Sequence, residues 1–428
     1  MRERGHVPPS FCFFRDEFKI ICVILNSSPC SPPAPPGKIS PGAVPTPPEL
    51  VEFMVALATP PRNSCRILEP ACGNCPFLKA FARYHGSHHE FAGIDIDPEA
   101  IRQARTQVPF ATLIEGDFLL WQPDERFDII IGNPPYGIIG DASHYPIHSL
   151  RERKTIYRQR FQTWHGKFNI YGAFIELEPD GRLIFVVPAS FLVLDDFAKL
   201  RHFLASSGHL SVYYLGKVFP ERNVSCTVMV LEKGKKGLKL YDGTRLFVSK
   251  PEWNGEVIRF ETPETLIFER SGIALEQLFD IYFAARSTEF RSHPEVTTEP
   301  RKGLVPVLTG RNLKPGWIDY SHCYSGLWMP REAAPTLRFF YGFPHIVVGH
   351  TKGIRVVAAL DELCYPWREE FHLVPKTDRA DLHATVHYLN SKPVQNYVYS
   401  LYRDFVPHLT RTMLRKIPLP WNCICAKI

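Results

Sequence analysis

The sequence predicts an α/β protein with a mainly parallel sheet, followed by a C-terminal segment of different character. Between residues 66 and 232, short apolar runs alternate with helical or turn segments, as in a sheet built from crossover units. Several of these runs end in acidic or amide side chains, at the strand ends where α/β folds place their ligands. From about residue 245 the alternation is lost, and aromatic and basic residues crowd together.

The elements follow in order. Leu50, Val51, Met54, Val55 and Leu57 recur at helical spacing, and Thr46-Pro47-Pro48 reads as an N-cap followed by helix-start prolines. Arg66 to Leu68 is a strand, Cys75 to Tyr84 a helix, and Phe91 to Ile96 a strand ending at Asp97-Pro98. Thr112 to Glu115, Phe127 to Gly132, Leu183 to Val187, Val212 to Leu215 and Ser225 to Glu232 read as further strands. The stretch between Tyr171 and Leu183 leaves room only for a crossover near the lower length limit.

Composition bounds the function. With 428 residues, two or three domains are expected. Hydrophobic residues at 45% allow a sizeable core and exclude a chain disordered throughout. Lys plus Arg is 50 and Asp plus Glu 44, a net +6 that permits nucleic-acid binding without requiring it. The 11 cysteines are odd in number and do not make a disulfide framework. Cys72-x-x-Cys75 has no second pair at zinc spacing, so no metal is expected. No run nears the ~20 apolar residues of a membrane helix. The early run Ile20 to Leu25 follows Asp16, Glu17 and Lys19 and is too short for a secretory signal, so a cytoplasmic protein is expected.

The strongest chemical signal is Asn133-Pro134-Pro135-Tyr136, directly after the strand that ends at Gly132. Asn133 offers a neutral acceptor, and the following proline holds it extended. Its side chain and the Pro134 carbonyl can both accept from one amino group, with the flat face of Tyr136 beside it. That arrangement suits a planar exocyclic amine, whose lone pair is delocalised into its ring. Two acceptors localise the pair and stabilise the charge that develops on alkylation. An aromatic face adds ~0.5–2 kcal/mol of cation–π attraction. Read without function, the tetrapeptide is a proline turn.

The second signal is Glu69-Pro70-Ala71-Cys72-Gly73-Asn74, a small-residue loop between strand and helix that lets a ligand approach backbone. It lacks the G-x-G-x-x-G pattern. Asp95 ends the next strand, placed for ribose hydroxyls, and Asp117-Phe118 follows the third, placed to read and cover an adenine. Any one of these carboxylates is equally well a helix cap. Together with the Asn-Pro-Pro-Tyr they indicate a nucleoside cofactor.

With these motifs in this order, the chain resembles the TaqI-like, gamma-class S-adenosylmethionine-dependent DNA adenine-N6 methyltransferases over residues 37–420. The resemblance implies a Rossmann-like catalytic domain (37–244), an α+β DNA-recognition domain (245–428), and S-adenosylmethionine as cofactor. It implies that Thr46, Glu69, Ala71, Asp95, Asp117, Phe118 and Asn133 bind that cofactor. It also implies that Asn133, Pro134, Tyr136 and Phe219 form the catalytic site, Phe219 being a second aromatic on the target base. The base must be flipped from the duplex, and Pro407 resembles the residue that fills the gap. Arg311, Lys314 and Lys352 are candidates for phosphate or base-edge contacts, although any single one reads as readily as a solvated charge. The implied partner is double-stranded DNA containing TCGA, bound by a monomer in a restriction–modification setting with a cognate endonuclease. Residues 1–36, ending in Ser31-Pro-Pro-Ala-Pro-Pro36, match nothing in the family. Little order is expected there, and a gene start read upstream of the true one would explain them.

Rival readings are an RNA or protein-glutamine methyltransferase carrying the same tetrapeptide, and a DNA-binding modification subunit without turnover. A glutamine enzyme has no use for the long basic-aromatic half, and a subunit without turnover has no use for Asn133 and Asp95.

Overall fold

The structure is a computed structural model that describes residues 45–123, 126–141, 147–176, 181–219 and 222–423. The expectation for residues 1–36 lies outside the described residues. The chain divides into two compact units, one up to Ile258 and one from Arg259.

The first unit is built on one sheet. Its strands are β1 (Arg66–Pro70), β2 (Glu90–Asp95), β3 (Ala111–Glu115), β4 (Ile129–Gly132), β5 (Arg182–Pro188), β6 (Gly208–Gly216), β7 (Cys226–Lys233), β8 (Leu238–Asp242) and β9 (Arg245–Lys250). They lie in the order β3-β2-β1-β4-β5-β7-β6-β8-β9. β1 to β5 are mutually parallel, and β7 runs antiparallel between β5 and β6. The central strands are apolar runs without alternation (Ile129-Ile130-Ile131, Leu183 to Val187), because both faces are covered. Helices α1 (Pro48–Leu57), α2 (Pro76–His85) and α3 (Pro98–Gln107) flank them, and α1 turns Leu50, Phe53 and Met54 into the core.

The chain runs outward from β1 to β3 and then returns as β4 on the other side of β1. Such a switch opens a crevice outside the carboxyl ends of the strands. The loops after β1 and β4 meet there, and they carry both sequence motifs.

Two expectations need correction. The boundary at 244/245 is too early, because β9 pairs antiparallel with β8 and closes the sheet edge. Ile258 N–H then donates to Leu192 O at 2.9 Å, which keeps the chain in the first unit to that point. Thr46 is not the N-cap of α1, since Pro47 holds that position with Pro48 inside the helix, and the Thr46 hydroxyl is used elsewhere. The short crossover was legible: α5 (Tyr171–Glu176), which follows α4 (Lys154–Arg160), has six residues.

The second unit mixes short strands and helices. Phe279–Phe283, Phe371–Pro375, His345–Val348 and Ala358–Asp361 form an antiparallel sheet in that spatial order. Trp367, Phe340, Tyr341 and Leu313 lie in its core. Among the described residues no helix is long and apolar enough to cross a membrane. The described cysteines are unpaired, and Cys65, Cys72, Cys75, Cys226 and Cys423 are buried.

Candidate functional site

The loop after β1 is bent by left-handed backbone at Ala71 (φ 51°), Gly73 (φ 48°) and Cys75 (φ 54°). Non-glycine residues in that region cost of order 1 kcal/mol or more and persist where the surroundings hold them. Here Cys72 N–H donates to Ile94 O (3.1 Å) and Gly73 N–H to Asp95 Oδ2 (2.8 Å). Gly93 makes room for this loop, since a Cβ there would sit 3.1 Å from Cys72 Sγ and 2.9 Å from Leu113 Cδ2. A side-chain Cβ at Gly73 would meet nothing within 4 Å, so the loop presents open backbone.

Asp95 spans this turn, its Oδ1 accepting from Asp97 N–H at 2.9 Å. Each carboxylate oxygen so engaged retains a lone pair. Burial raises its pKa from the ordinary value. Glu69 sits differently. It is 2% exposed, and its Oε2 accepts from Leu78 N–H at 2.9 Å in the first turn of α2. It therefore braces the helix that follows the loop, and burial pushes its pKa well up.

Asp117 is heavily engaged. Its Oδ2 accepts from Arg153 Nη1 and Tyr157 OH, both at 2.6 Å, and its Oδ1 from Leu119 N–H at 3.0 Å. Only Oδ1 keeps accepting capacity for a further amino group. Phe118 is 7% exposed and packs 5.1 Å from Phe174, so its ring belongs to the core rather than to an open face.

After β4, Asn133 Nδ2 donates to Thr46 Oγ1 at 3.0 Å. Asn133 Oδ1 is buried and has no hydrogen-bond partner among the described residues. Pro134 is buried beside it. Tyr136 OH donates to Val186 O at 2.9 Å, which fixes the ring, and burial raises its pKa well above the ordinary value. That ring stands edge-to-face with Tyr171 (6.1 Å) and with Phe219 (6.4 Å). Phe219 is 3% exposed, so the expected second aromatic is brought to Tyr136 but lies within the core cluster.

In the second unit, Asn312 clamps the loop that carries Arg311 and Lys314. Its Oδ1 accepts from Thr309 N–H (2.9 Å), and its Nδ2 donates to Asp319 O (2.7 Å) and His322 O (2.8 Å). Arg311 is exposed. Burial first, and the charge of Lys314 second, depress the Lys352 pKa. Pro407 is exposed at the tip of a turn anchored by buried Phe405, Val406 and Leu409.

Comparison with known proteins decides the family. A methyltransferase domain model matches residues 67–144, an Eco57I restriction-modification methylase model 109–219, and a TaqI-like C-terminal specificity domain model 305–419. The type II methyltransferase M.TthHB8I of Thermus thermophilus is 56% identical over 404 residues, spanning 91% of this chain and 93% of that one. The chain belongs to the TaqI-like type II DNA methyltransferases. Type II methyltransferase M.HincII of Haemophilus influenzae is 29% identical over 203 residues, 46% of this chain and 38% of its own. A tRNA1(Val) (adenine(37)-N6)-methyltransferase of Vibrio cholerae is 33% identical over 133 residues, 28% of this chain and 50% of its own.

The cofactor of this DNA methyltransferase is S-adenosylmethionine, and its partner is DNA. The site fits that cofactor, with open backbone at Gly73, an acidic side chain ending β2, and an unpartnered acceptor at Asn133.

Sequence reasoning missed the residues that hold the methyltransferase's tetrapeptide in place. Asn169 Oδ1 accepts from Gly137 N–H at 2.7 Å, and Lys154 Nζ donates to Ile139 O at 2.8 Å. Arg153 and Tyr157 likewise pin Asp117. None of them falls in a spacing with a chemical meaning of its own.

Proposed function

We propose that this methyltransferase moves the methyl group of S-adenosylmethionine to N6 of an adenine flipped out of double-stranded DNA, within TCGA. Asn133 Oδ1, buried and unpartnered at the end of β4, carries the reading. A buried acceptor left unmade costs about 1–3 kcal/mol, and an incoming amino group relieves that cost.

The cofactor supplies an electrophilic methyl on a sulfonium. The chain supplies the rest. Asn133 Oδ1 and the Pro134 carbonyl accept from the amine and draw its lone pair out of conjugation. Tyr136, held by Val186 O, orients the base at its edge, with Phe219 behind it. Asp95 takes the ribose hydroxyls with its remaining lone pairs, and Asp117 meets the cofactor's adenine through Oδ1. Ala71 offers backbone in the loop, with Glu69 bracing the helix behind it, and Phe118 backs the adenine site from the core. When bound, the cofactor would give its methyl to the amine nitrogen and leave as the neutral thioether, and the proton lost by the methylated amine would pass to water. No covalent enzyme intermediate is involved, so the rate comes from orientation and preorganised electrostatics.

The second unit supplies recognition, with Arg311, Lys314 and Lys352 on DNA and Pro407 filling the gap left by the flipped base. Support for N6 comes from the similarity to the tRNA1(Val) (adenine(37)-N6)-methyltransferase of Vibrio cholerae, which matches 28% of this chain. The TCGA site, the monomeric state, the cytoplasmic location and a paired endonuclease rest on the family resemblance.

The deciding experiment incubates purified protein with labelled S-adenosylmethionine and unmodified duplex DNA, then maps the modified bases. Methylation at adenine N6 within TCGA is expected. Methylation of adenine elsewhere removes the site assignment, and methylation of RNA alone removes the DNA substrate.

A further inference from the structure

Three segments of the second unit carry the candidate DNA contacts: residues 309–314, 350–353 and 403–409. They are far apart in sequence, and one pair, the buried Glu370 and the half-buried His350, connects them. Strands His345–Val348 and Phe371–Pro375 pair antiparallel with Val348 opposite Phe371. This register brings His350, just past the end of one strand, beside Glu370, just before the start of the other.

Glu370 is 0% exposed. It accepts the backbone N–H of His350 and, at 3.0 Å, the hydroxyl of Thr351. Gly310 lies against the same pair, since a Cβ there would be 2.4 Å from Glu370 Oε1 and 2.2 Å from Thr351 Oγ1. The loop carrying Arg311 and Lys314 therefore approaches the turn carrying Lys352 through this carboxylate.

The ring of His350 reaches the third segment. Its Nδ1 is 2.8 Å from Leu409 O, and because a carbonyl only accepts, Nδ1 is the donor. The ring lies 4.4 Å from that of His408 and stands edge-to-face with Phe283 (5.2 Å) and Phe371 (5.3 Å). Leu409 lies two residues beyond Pro407, so this bond fixes the stem of the exposed proline turn.

An apolar residue would fill the Glu370 site at lower cost, because a buried carboxyl gives up its hydration. Burial pushes its pKa up to about 7. What an apolar residue cannot do is accept two donors from the 350–351 turn.

We propose that Glu370 and His350 are positioning residues for DNA, holding Arg311, Lys314, Lys352 and Pro407 in one fixed arrangement. The proposal rests on the reading of those four residues as DNA contacts.

The test compares His350→Phe, His350→Asn and Glu370→Gln with Lys352→Ala and Pro407→Ala as references. KM is measured for DNA and for S-adenosylmethionine, together with thermal melting and the fluorescence of 2-aminopurine at the target position. His350→Phe keeps the ring packing and loses the Leu409 bond. The expected result is a DNA KM raised about three- to tenfold, the value of one hydrogen bond. A weaker 2-aminopurine signal and an unchanged cofactor KM accompany it. His350→Asn puts a donor near the Nδ1 position and recovers most of the loss. Glu370→Gln, which retains one acceptor, raises the DNA KM in the same direction.

If Lys352→Ala and Pro407→Ala weaken DNA handling while His350→Phe does not, this proposal alone is overturned. If both reference variants behave as wild type, the DNA-contact reading fails, and the proposal with it. Equal rises in both KM values with lower melting mean a general structural role and also overturn it.

Discussion

Asn133 and Thr46 are 87 residues apart in sequence and 3.0 Å apart in the fold, with the asparagine amide donating to the threonine hydroxyl. The bond decides which end of the amide is spent. Nδ2 is engaged, and Oδ1 remains the buried, unpartnered acceptor. Thr46→Val removes the anchor and lets the amide turn. The expected result is a fall in kcat of about three- to tenfold, the worth of one hydrogen bond, with Thr46→Ser retaining activity. Single-turnover methylation measures it.

Asn133→Ala removes the acceptor itself. Preorganised groups of this kind are worth about 10²–10³ in kcat, so a loss of that order is expected. S-adenosylmethionine affinity, measured by calorimetry, stays within a few-fold, because the cofactor's other partners remain.

Asp95→Ala strikes the cofactor and spares DNA. The variant loses the acceptor for Gly73 N–H, which shapes the loop after β1, and the acceptors proposed for the ribose. Hydrogen bonds to a charged group are worth about 1.5–3 kcal/mol. A rise in cofactor KM of about 10- to 100-fold is expected, with DNA binding unchanged in a filter or anisotropy assay.

Lys352→Ala tests the recognition surface through salt. A residue on a phosphate releases a counterion when it binds. Its loss should weaken binding across sequences and reduce the slope of log K against log salt by about 1. Titration of one duplex at several salt concentrations reads the slope.

His408 gives a pH dependence of known sign. Burial first, and the neighbouring His350 second, lower its pKa to about 4 from an ordinary 6.5. Above the ordinary value both folded and unfolded chains hold it neutral, and its full contribution is present. As pH falls from 6.5 toward 4, the unfolded chain takes up a proton that the folded one refuses, and stability is lost. His408→Gln removes this site. Between about pH 7.5 and pH 5 the melting temperature of the wild type should therefore fall further than that of the variant.

Much of the first unit was legible because its central strands are apolar runs bounded by turn residues. The runs at Ile129–Ile131 and Leu183–Val187 are short and rich in β-branched residues, the pattern of strands covered on both faces. Strands β8 and β9 at the far end of the sheet escaped notice, and the domain boundary was drawn too early, because both are short and mix polar with apolar residues and β9, the edge strand, is half exposed. The second unit gave no periodicity, since its strands have two to five residues, too few to show a repeat.

By itself the sequence determined the chemistry on offer: the Asn-Pro-Pro-Tyr at a strand end, the small-residue loop after β1, the acidic strand ends, and a basic-aromatic half. These are local facts, set by residue type and by position relative to a strand. The tertiary structure alone decided which atoms remain available. It spent Asn133 Nδ2 on Thr46, Asp117 Oδ2 on Arg153 and Tyr157, and Glu69 on the start of α2, and it turned Phe219 inward. It also joined three distant segments through Glu370 and His350. A hydrogen bond is satisfied by whichever partner lies within about 3 Å, and that neighbour is set by packing between elements rather than by distance along the chain.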